Sequence, residues 1–122
     1  MGYRSTVGIK CQKKSFELFK TAYELNKIVP DEIFQNGDED EFILIWKSIK
    51  WYPKYEDVEA IENVMDELDA YDDSNNAYDI EMGYSMIRLG ESDGDIECRD
   101  NTDNLDFYYV RDIDTEGFIP KE

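Results

Sequence analysis

Carboxylates are the chemically reactive side chains that this sequence supplies in quantity, with 30 Asp and Glu residues against 13 Lys and Arg residues and no histidine. Without histidine, the commonest general base and the Ser-His and Cys-His nucleophile pairs are excluded. A metal site made of carboxylates alone remains possible in principle. The nuclease pattern of Pro-Asp followed by acid-x-Lys fails, because the candidate after Pro30-Asp31 reads Ile45-Trp46-Lys47. The segments "DGDIECRDN" and "DNTDNLDF" lack the glycine and closing glutamate of a calcium loop. We therefore expect a protein that is not an enzyme, with no catalytic residues, no metal site and no cofactor.

The two cysteines, Cys11 and Cys98, have no CxxC spacing and cannot form a disulfide framework. Cys11 shares strand parity with Val7 and Ile9, and Cys98 shares it with Ile96. We expect both thiols to point into the core, where apolar surroundings raise the pKa of a thiol and make it unreactive.

The negative charge is concentrated in the second half of the chain. The formal net charge is −17; residues 1–54 hold 9 basic and 8 acidic side chains, whereas residues 55–122 hold 4 basic and 22 acidic ones. Such a surface repels nucleic acid and anionic lipid, and it speeds encounter with basic proteins at low salt. No apolar run approaches the ~18 residues of a membrane span, and the N-terminus lacks the apolar segment of a secretory signal. We expect a cytoplasmic protein with a basic protein partner and with no direct binding to nucleic acid or membrane.

Residues 55–73, YEDVEAIENVMDELDAYDD, contain nine acidic side chains and no Lys or Arg. At about 100° per residue, the apolar side chains fall on one face of a helix, and acidic side chains spaced by three and four residues form a stripe beside it. The apolar face comprises Ala60, Ile61, Val64, Met65, Leu68 and Tyr71, with Val58 at its edge. The acidic stripe comprises Glu59, Glu62, Asp66, Asp69 and Asp73. Asp57 would lie on the apolar side, so we interpret it as an N-cap or first-turn residue.

This acidic stripe has two explanations. Like charges at these spacings destabilise a helix by about 0.2 to 0.5 kcal/mol per pair, so folding alone does not require it. A solvated face that keeps the protein soluble is the first explanation. The second is a binding surface that mimics nucleic acid, because the helix carries about one charge per 3 Å of axis and a DNA strand about one per 3.4 Å. The predicted partner-binding residues are Glu56, Glu59, Glu62, Asp66, Glu67, Asp69, Asp72 and Asp73.

The remaining patterns predict an α+β domain spanning residues 1–122, with the order β-α-β-α-β-β-β. Two helices should pack on one face of a mainly antiparallel sheet of about five strands. Alternation predicts a strand from Tyr3 to Cys11, Ser15 is a plausible N-cap for the first helix, and Pro30 could open a short helical turn. A central strand is predicted over residues 42–52. A strand over 78–89, continuous or broken near Gly83, a short strand over 95–99 and a last strand over 105–113 should form an antiparallel meander.

Aromatic and basic residues alternate in WKSIKWYPKY, residues 46–55. In a chain of this charge we interpret the segment as core strand plus rim, with a protein contact as the functional alternative. The secondary contact residues are Trp51, Tyr52 and Tyr55, together with Asp93 and Asp95. This leaves a second functional hypothesis, a protein-interaction or scaffold module that could be a homodimer.

Three segments, MGYRS, IKWYPKYEDVEAIENVMDEL and YSMIRLGES, resemble small acidic proteins encoded by phages and prophages. Together they cover about a third of the chain. The resemblance implies an inhibitor that acts in the host cytoplasm on a defence or DNA-handling protein, as anti-CRISPR and anti-restriction proteins do. The sequence therefore predicts a non-enzymatic inhibitor that binds a basic surface of a nucleic-acid-handling protein, with the acidic helix as its main contact.

Overall fold

The computed structural model describes residues 4–35, 41–52, 55–73, 83–91, 94–101 and 119–120. These form strand β1 (Ser5–Gln12), helix α1 (Lys13–Leu25), strands β2 (Glu32–Gln35) and β3 (Glu41–Ile49), helix α2 (Glu56–Asp73), and strands β4 (Tyr84–Leu89), β5 (Ile96–Asp100) and β6 (Ile119–Pro120). The predicted α+β class, with two helices and an antiparallel sheet, is confirmed.

The sheet has the strand order β5-β4-β1-β3-β2-β6, and every pairing is antiparallel. The first strand of the chain lies near the middle, between β4 and β3. Its alternation of apolar and polar residues fits a strand with one helix-covered face. Val7, Ile9 and Cys11 are completely buried. The inward orientation of Cys11 is therefore confirmed.

Both helices pack on the same face of the sheet. Alternate residues of β1 and β3 meet apolar residues of both helices in one core: Val7, Ile9, Cys11, Phe16, Phe19, Tyr23, Phe42, Leu44, Trp46, Val58, Ile61, Val64, Met65 and Leu68. The rings of Phe16 and Phe42 stack at 4.0 Å and join α1 to β3. A smaller cluster of Ile43, Ile45 and Ile87 lies on the opposite face. This second cluster explains why residues 42–46 are continuously apolar, because β3 is buried on both sides.

The start of α1 differs from the prediction. The helix begins at Lys13, and Gln12 occupies the N-cap position without a side-chain cap. Ser15, the predicted N-cap, is buried in the first turn and donates a hydrogen bond to the carbonyl of Gly83 at 2.7 Å. The prediction was wrong because β1 runs directly into the helix, so Ser15 joins α1 to the residue before β4.

Residues after Pro30 form a strand where a short helical turn was predicted. Residues of β2 pair with β3, with Ile33 opposite Leu44. The described residues thus contain six strands, where about five were predicted. The helix-opening character of Pro30 is a local preference, and pairing with β3 overrides it.

The predicted meander is confirmed in part. β4 and β5 are antiparallel neighbours joined by a short connection that includes Gly94. The first part of the predicted 78–89 strand, the predicted strand over 105–113, Tyr3 and Asp93 lie outside the described residues. None of the helices in the described ranges is long and apolar enough to cross a membrane.

Candidate protein-binding surface

The acidic helix is confirmed as α2, Glu56–Asp73. Val58, Ile61, Met65 and Leu68 are buried, at no more than 1% exposure, so the predicted apolar face packs against the sheet. Asp57 lies in the first turn, as predicted, and its carboxylate accepts a hydrogen bond from the backbone N–H of Val58 at 2.8 Å. This contact satisfies an N–H group at the start of the helix.

Arg99 of β5 contacts three members of the predicted acidic stripe. Its Nη1 lies 3.0 Å from Oε1 of Glu62, and its Nη2 lies 2.6 Å from Oδ1 of Asp66 and 2.7 Å from Oδ2 of Asp69. One guanidinium thus holds carboxylates from three successive positions of the stripe, at spacings of four and three residues. The positive charge of Arg99 therefore offsets the repulsion among these three carboxylates within the molecule.

Two further side chains bind the same carboxylates. Trp51 donates its indole N–H to Oε2 of Glu62 at 3.2 Å, and Tyr84 donates its hydroxyl to Oδ1 of Asp69 at 2.9 Å. Burial raises the pKa of Glu62, although the hydrogen bond from Trp51 and the charge of Arg99 oppose the rise. Burial, and then the hydrogen bond to Asp69, raise the pKa of Tyr84, so its hydroxyl stays protonated and remains a donor.

We call these six side chains the Arg99 cluster: Trp51, Glu62, Asp66, Asp69, Tyr84 and Arg99. Sequence reasoning missed it because it assigned Ile96 and Cys98 to the core side of β5. Pairing of Met86 with Arg99 instead places Arg99 on the helix-covered face, and Ile96 and Cys98 are exposed. The prediction of a buried Cys98 was therefore wrong. Four basic residues follow residue 54, and Arg99 is one of them. This small number was the signal in the sequence that could have pointed to Arg99 as a partner of the acidic stripe.

The remaining predicted contact residues of α2 differ in their surroundings. Glu56, Glu59 and Glu67 are exposed, and no ion pair or hydrogen bond of their carboxylates occurs within the described ranges. We call these three residues the outer acidic face. Asp72 and Asp73 belong to the last turn of α2, and their side chains lie outside the described part. The six predicted binding residues whose side chains are described thus form two sets, an inner set held by Arg99 and an outer set open to solvent.

The described residues of the secondary contact region range from buried to exposed. Trp51 is 5% exposed and packs 5.6 Å from Trp46 between ring centroids. Tyr52 is half-buried and meets Tyr55 edge to face at 5.2 Å, and Tyr55 is 44% exposed. Asp95 is held by Arg88 in a two-point contact, at 2.8 and 3.3 Å. Of this region, Tyr55 offers the most accessible aromatic surface.

Comparison of the chain with protein families, with curated proteins and with solved structures found no match. The resemblance to phage-encoded proteins therefore stays a prediction. Within the residues that the structure describes, no group of three or more Cys, Asp or Glu side chains is arranged to hold a metal ion.

Proposed function

We propose that this protein is a non-enzymatic inhibitor that binds a basic surface of a nucleic-acid-handling protein through the outer acidic face of α2. The phage resemblance extends the proposal to a host defence protein as the target, with an anti-CRISPR or anti-restriction role. The observation that supports it is the contrast along one helix. Glu62 and Asp69 have partners inside the molecule, whereas Glu56, Glu59 and Glu67 are exposed and have no cation partner among the residues that the structure describes.

The Arg99 cluster supports this proposal by making the outer acidic face rigid. An acidic helix that frays would lose conformational entropy on binding, which weakens association. Arg99 fixes α2 to the sheet edge through three carboxylates, and the buried apolar residues fix its other side. Negative charges on a preorganised helix face are suited to electrostatic steering toward a basic groove.

The proposal predicts a particular pattern of binding. Immobilised protein should capture a basic nucleic-acid-handling protein from host lysate, and the captured protein should elute with salt and be displaced by duplex DNA. Purified partner and protein should then show a dissociation constant that rises with ionic strength, because exposed charges are screened.

The variant that tests the contact surface is Glu59→Lys with Glu67→Lys. Its matched control is Glu17→Lys with Glu24→Lys, which makes the same charge change at exposed positions of α1. The first variant should lose binding by at least about tenfold, as expected when rim charges are reversed, and the control should lose much less. Reversal of Glu62, Asp66 or Asp69 is unsuitable, because it would place a lysine against Arg99 and destabilise the fold.

Equal losses in the two variants would show that net charge, and not the outer acidic face, governs binding. Unchanged affinity of the Glu59→Lys, Glu67→Lys variant would refute the contact. A partner retained at high salt and not displaced by DNA would refute nucleic-acid mimicry. Metal-dependent turnover of a substrate by the purified protein would refute the non-enzymatic assignment.

A further inference from the structure

A cleft of about 410 Å³ lies where the chain after α1, the end of β3 and the start of α2 meet. Its volume is within the range of small-molecule sites, about 300 to 1,000 Å³. Four basic residues line it, together with two acidic ones: Arg4, Lys27, Lys47, Lys50, Asp31 and Asp57. Lys47 is ion-paired with Glu32 at 3.0 Å, so Arg4, Lys27 and Lys50 are the basic residues that can face a ligand there. A group of three basic residues is unexpected in a protein of net charge −17.

The acidic residues of this basic cleft are engaged with backbone groups. Asp31 accepts a hydrogen bond from the backbone N–H of Lys47 at 2.6 Å, and Asp57 accepts one from Val58. In contrast, no ion pair joins Lys27 or Lys50 to a carboxylate in the described part of the chain. As far as the described residues go, the two ammonium groups are therefore available to a ligand.

Backbone strain is concentrated at the same cleft. Two non-glycine residues in the described ranges have positive φ, Lys27 at 57° and Ser48 at 55°, and both line it. Left-handed backbone disfavours any residue with a Cβ, and such strain often occurs at functional sites. Both residues are therefore candidates for a binding role at this cleft.

Lys27 occupies the residue position after the C-cap of α1, where glycine is the usual residue. The N–H of Ile28 bonds the carbonyl of Tyr23 at 3.0 Å, which is the backbone pattern that ends helices with a left-handed residue. Glycine would adopt this conformation with less strain. A lysine at this position places an ammonium group beside the cleft, where it also faces the negative end of the α1 dipole.

Ser48 forms a bulge in β3. Between Ser5 and Val7 the register of β1 against β3 shifts, so that three steps along β3 oppose two along β1. The bulge turns the carbonyl of Ser48 toward Arg4, whose Nη1 donates to it at 2.7 Å. Bulges commonly re-aim groups next to binding sites, and this one holds a guanidinium at the cleft.

We propose that the basic cleft binds a small organic phosphate, a phosphate monoester attached to a planar or apolar group of mononucleotide size. Lys27, Lys50 and Arg4 would bind the phosphate oxygens. Tyr55, at 44% exposure, would contact the planar portion. The site adjoins the outer acidic face at Tyr55 and Asp57 but shares no residue with it, and the proposal does not depend on the proposed inhibitor function.

Adenosine monophosphate is a suitable probe. Inorganic phosphate and adenosine are the comparison ligands, because each carries one of its two parts, the phosphate or the nucleoside. Isothermal titration of the full chain should show saturable binding of adenosine monophosphate, weaker binding of inorganic phosphate and none of adenosine. In a nuclear magnetic resonance titration, the backbone amides of Lys27, Ser48 and Tyr55 should shift. These results would assign the anion to the cleft.

Lys27→Gly removes the ammonium group without disturbing the backbone, because glycine adopts the left-handed conformation readily. Its affinity for adenosine monophosphate should fall by about tenfold, as for the loss of one charge-assisted contact, while its melting temperature stays equal or rises. Lys50→Ala should act in the same direction. Lys13→Ala, which removes an exposed lysine at the other end of α1, is the matched control and should bind as the unmodified chain does.

The absence of saturable binding, or equal affinity in Lys27→Gly and Lys13→Ala, would overturn the proposal. A change in self-association of Lys27→Gly without anion binding would also overturn it, and would show that an acidic segment of a second copy occupies the cleft. The Glu59→Lys, Glu67→Lys variant should keep its affinity for adenosine monophosphate, so the two proposals can fail separately.

Discussion

Replacing Arg99 with methionine tests whether the Arg99 cluster holds α2 to the sheet. Methionine keeps an aliphatic stem and removes the guanidinium. The side chains of Arg99 and Glu62 are 25% and 21% exposed, whereas Asp66 is 67% exposed. Sheltered charge-assisted hydrogen bonds contribute about 1.5 to 3 kcal/mol each, and an exposed ion pair contributes at most about 1 kcal/mol. Because these contributions are not additive, we expect a loss of about 2 to 4 kcal/mol in the free energy of unfolding.

Urea denaturation at neutral pH and low salt measures this loss. It should shrink in high salt, because the carboxylates left without Arg99 repel one another and are partly screened. It should also shrink in a background of Glu62→Gln, Asp66→Asn and Asp69→Asn, where no charges remain for Arg99 to neutralise. This background is the control for the aliphatic packing of the Arg99 stem.

The reasoning would be refuted if Arg99→Met cost less than about 0.5 kcal/mol, the range of an ordinary surface substitution. It would also be refuted if the cost were the same in the neutral background, since the effect would then come from packing alone.

Three further predictions concern other residues. Ser48→Gly should raise the free energy of unfolding by about 0.5 to 1 kcal/mol in urea denaturation, because the strain of a left-handed serine exceeds the extra unfolded-state entropy of glycine; a loss would show that the serine side chain supports the bulge. Because burial raises the pKa of Glu62, stability should fall as the pH rises from the ordinary value of 4.5 through the higher folded value. Glu62→Gln keeps an oxygen acceptor for Trp51 and cannot lose a proton, so melting temperatures measured across this interval should vary less with pH; an unchanged profile would contradict the assignment. A thiol reagent should label Cys98 in the native protein and Cys11 only after unfolding, since burial raises the pKa of the Cys11 thiol; equal labelling rates would contradict this difference.

Local patterns predicted much of the fold. The alternation in β1, the apolar face of α2 and the continuous apolar run in β3 each reflect burial on a defined side, and each was confirmed by the exposure of the side chains. The same reasoning failed at Ser15 and after Pro30. There, a capping or helix-opening preference worth about 1 kcal/mol competed with contacts to Gly83 and to β3, which are distant in sequence.

The sequence by itself determined that α2 is amphipathic and acidic, because helical periodicity is a property of neighbouring residues. It could not determine which acidic residues Arg99 binds, because Arg99 lies 30 to 37 residues from them along the chain and its position depends on the register of β5 against β4. The register places Arg99 beside Glu62, Asp66 and Asp69. The outer acidic face consists of carboxylates of α2 that Arg99 does not contact. The basic cleft likewise depends on the tertiary structure. Arg4 precedes β1, Lys27 follows α1 and Lys50 follows β3, and the fold brings these three positions to one cleft.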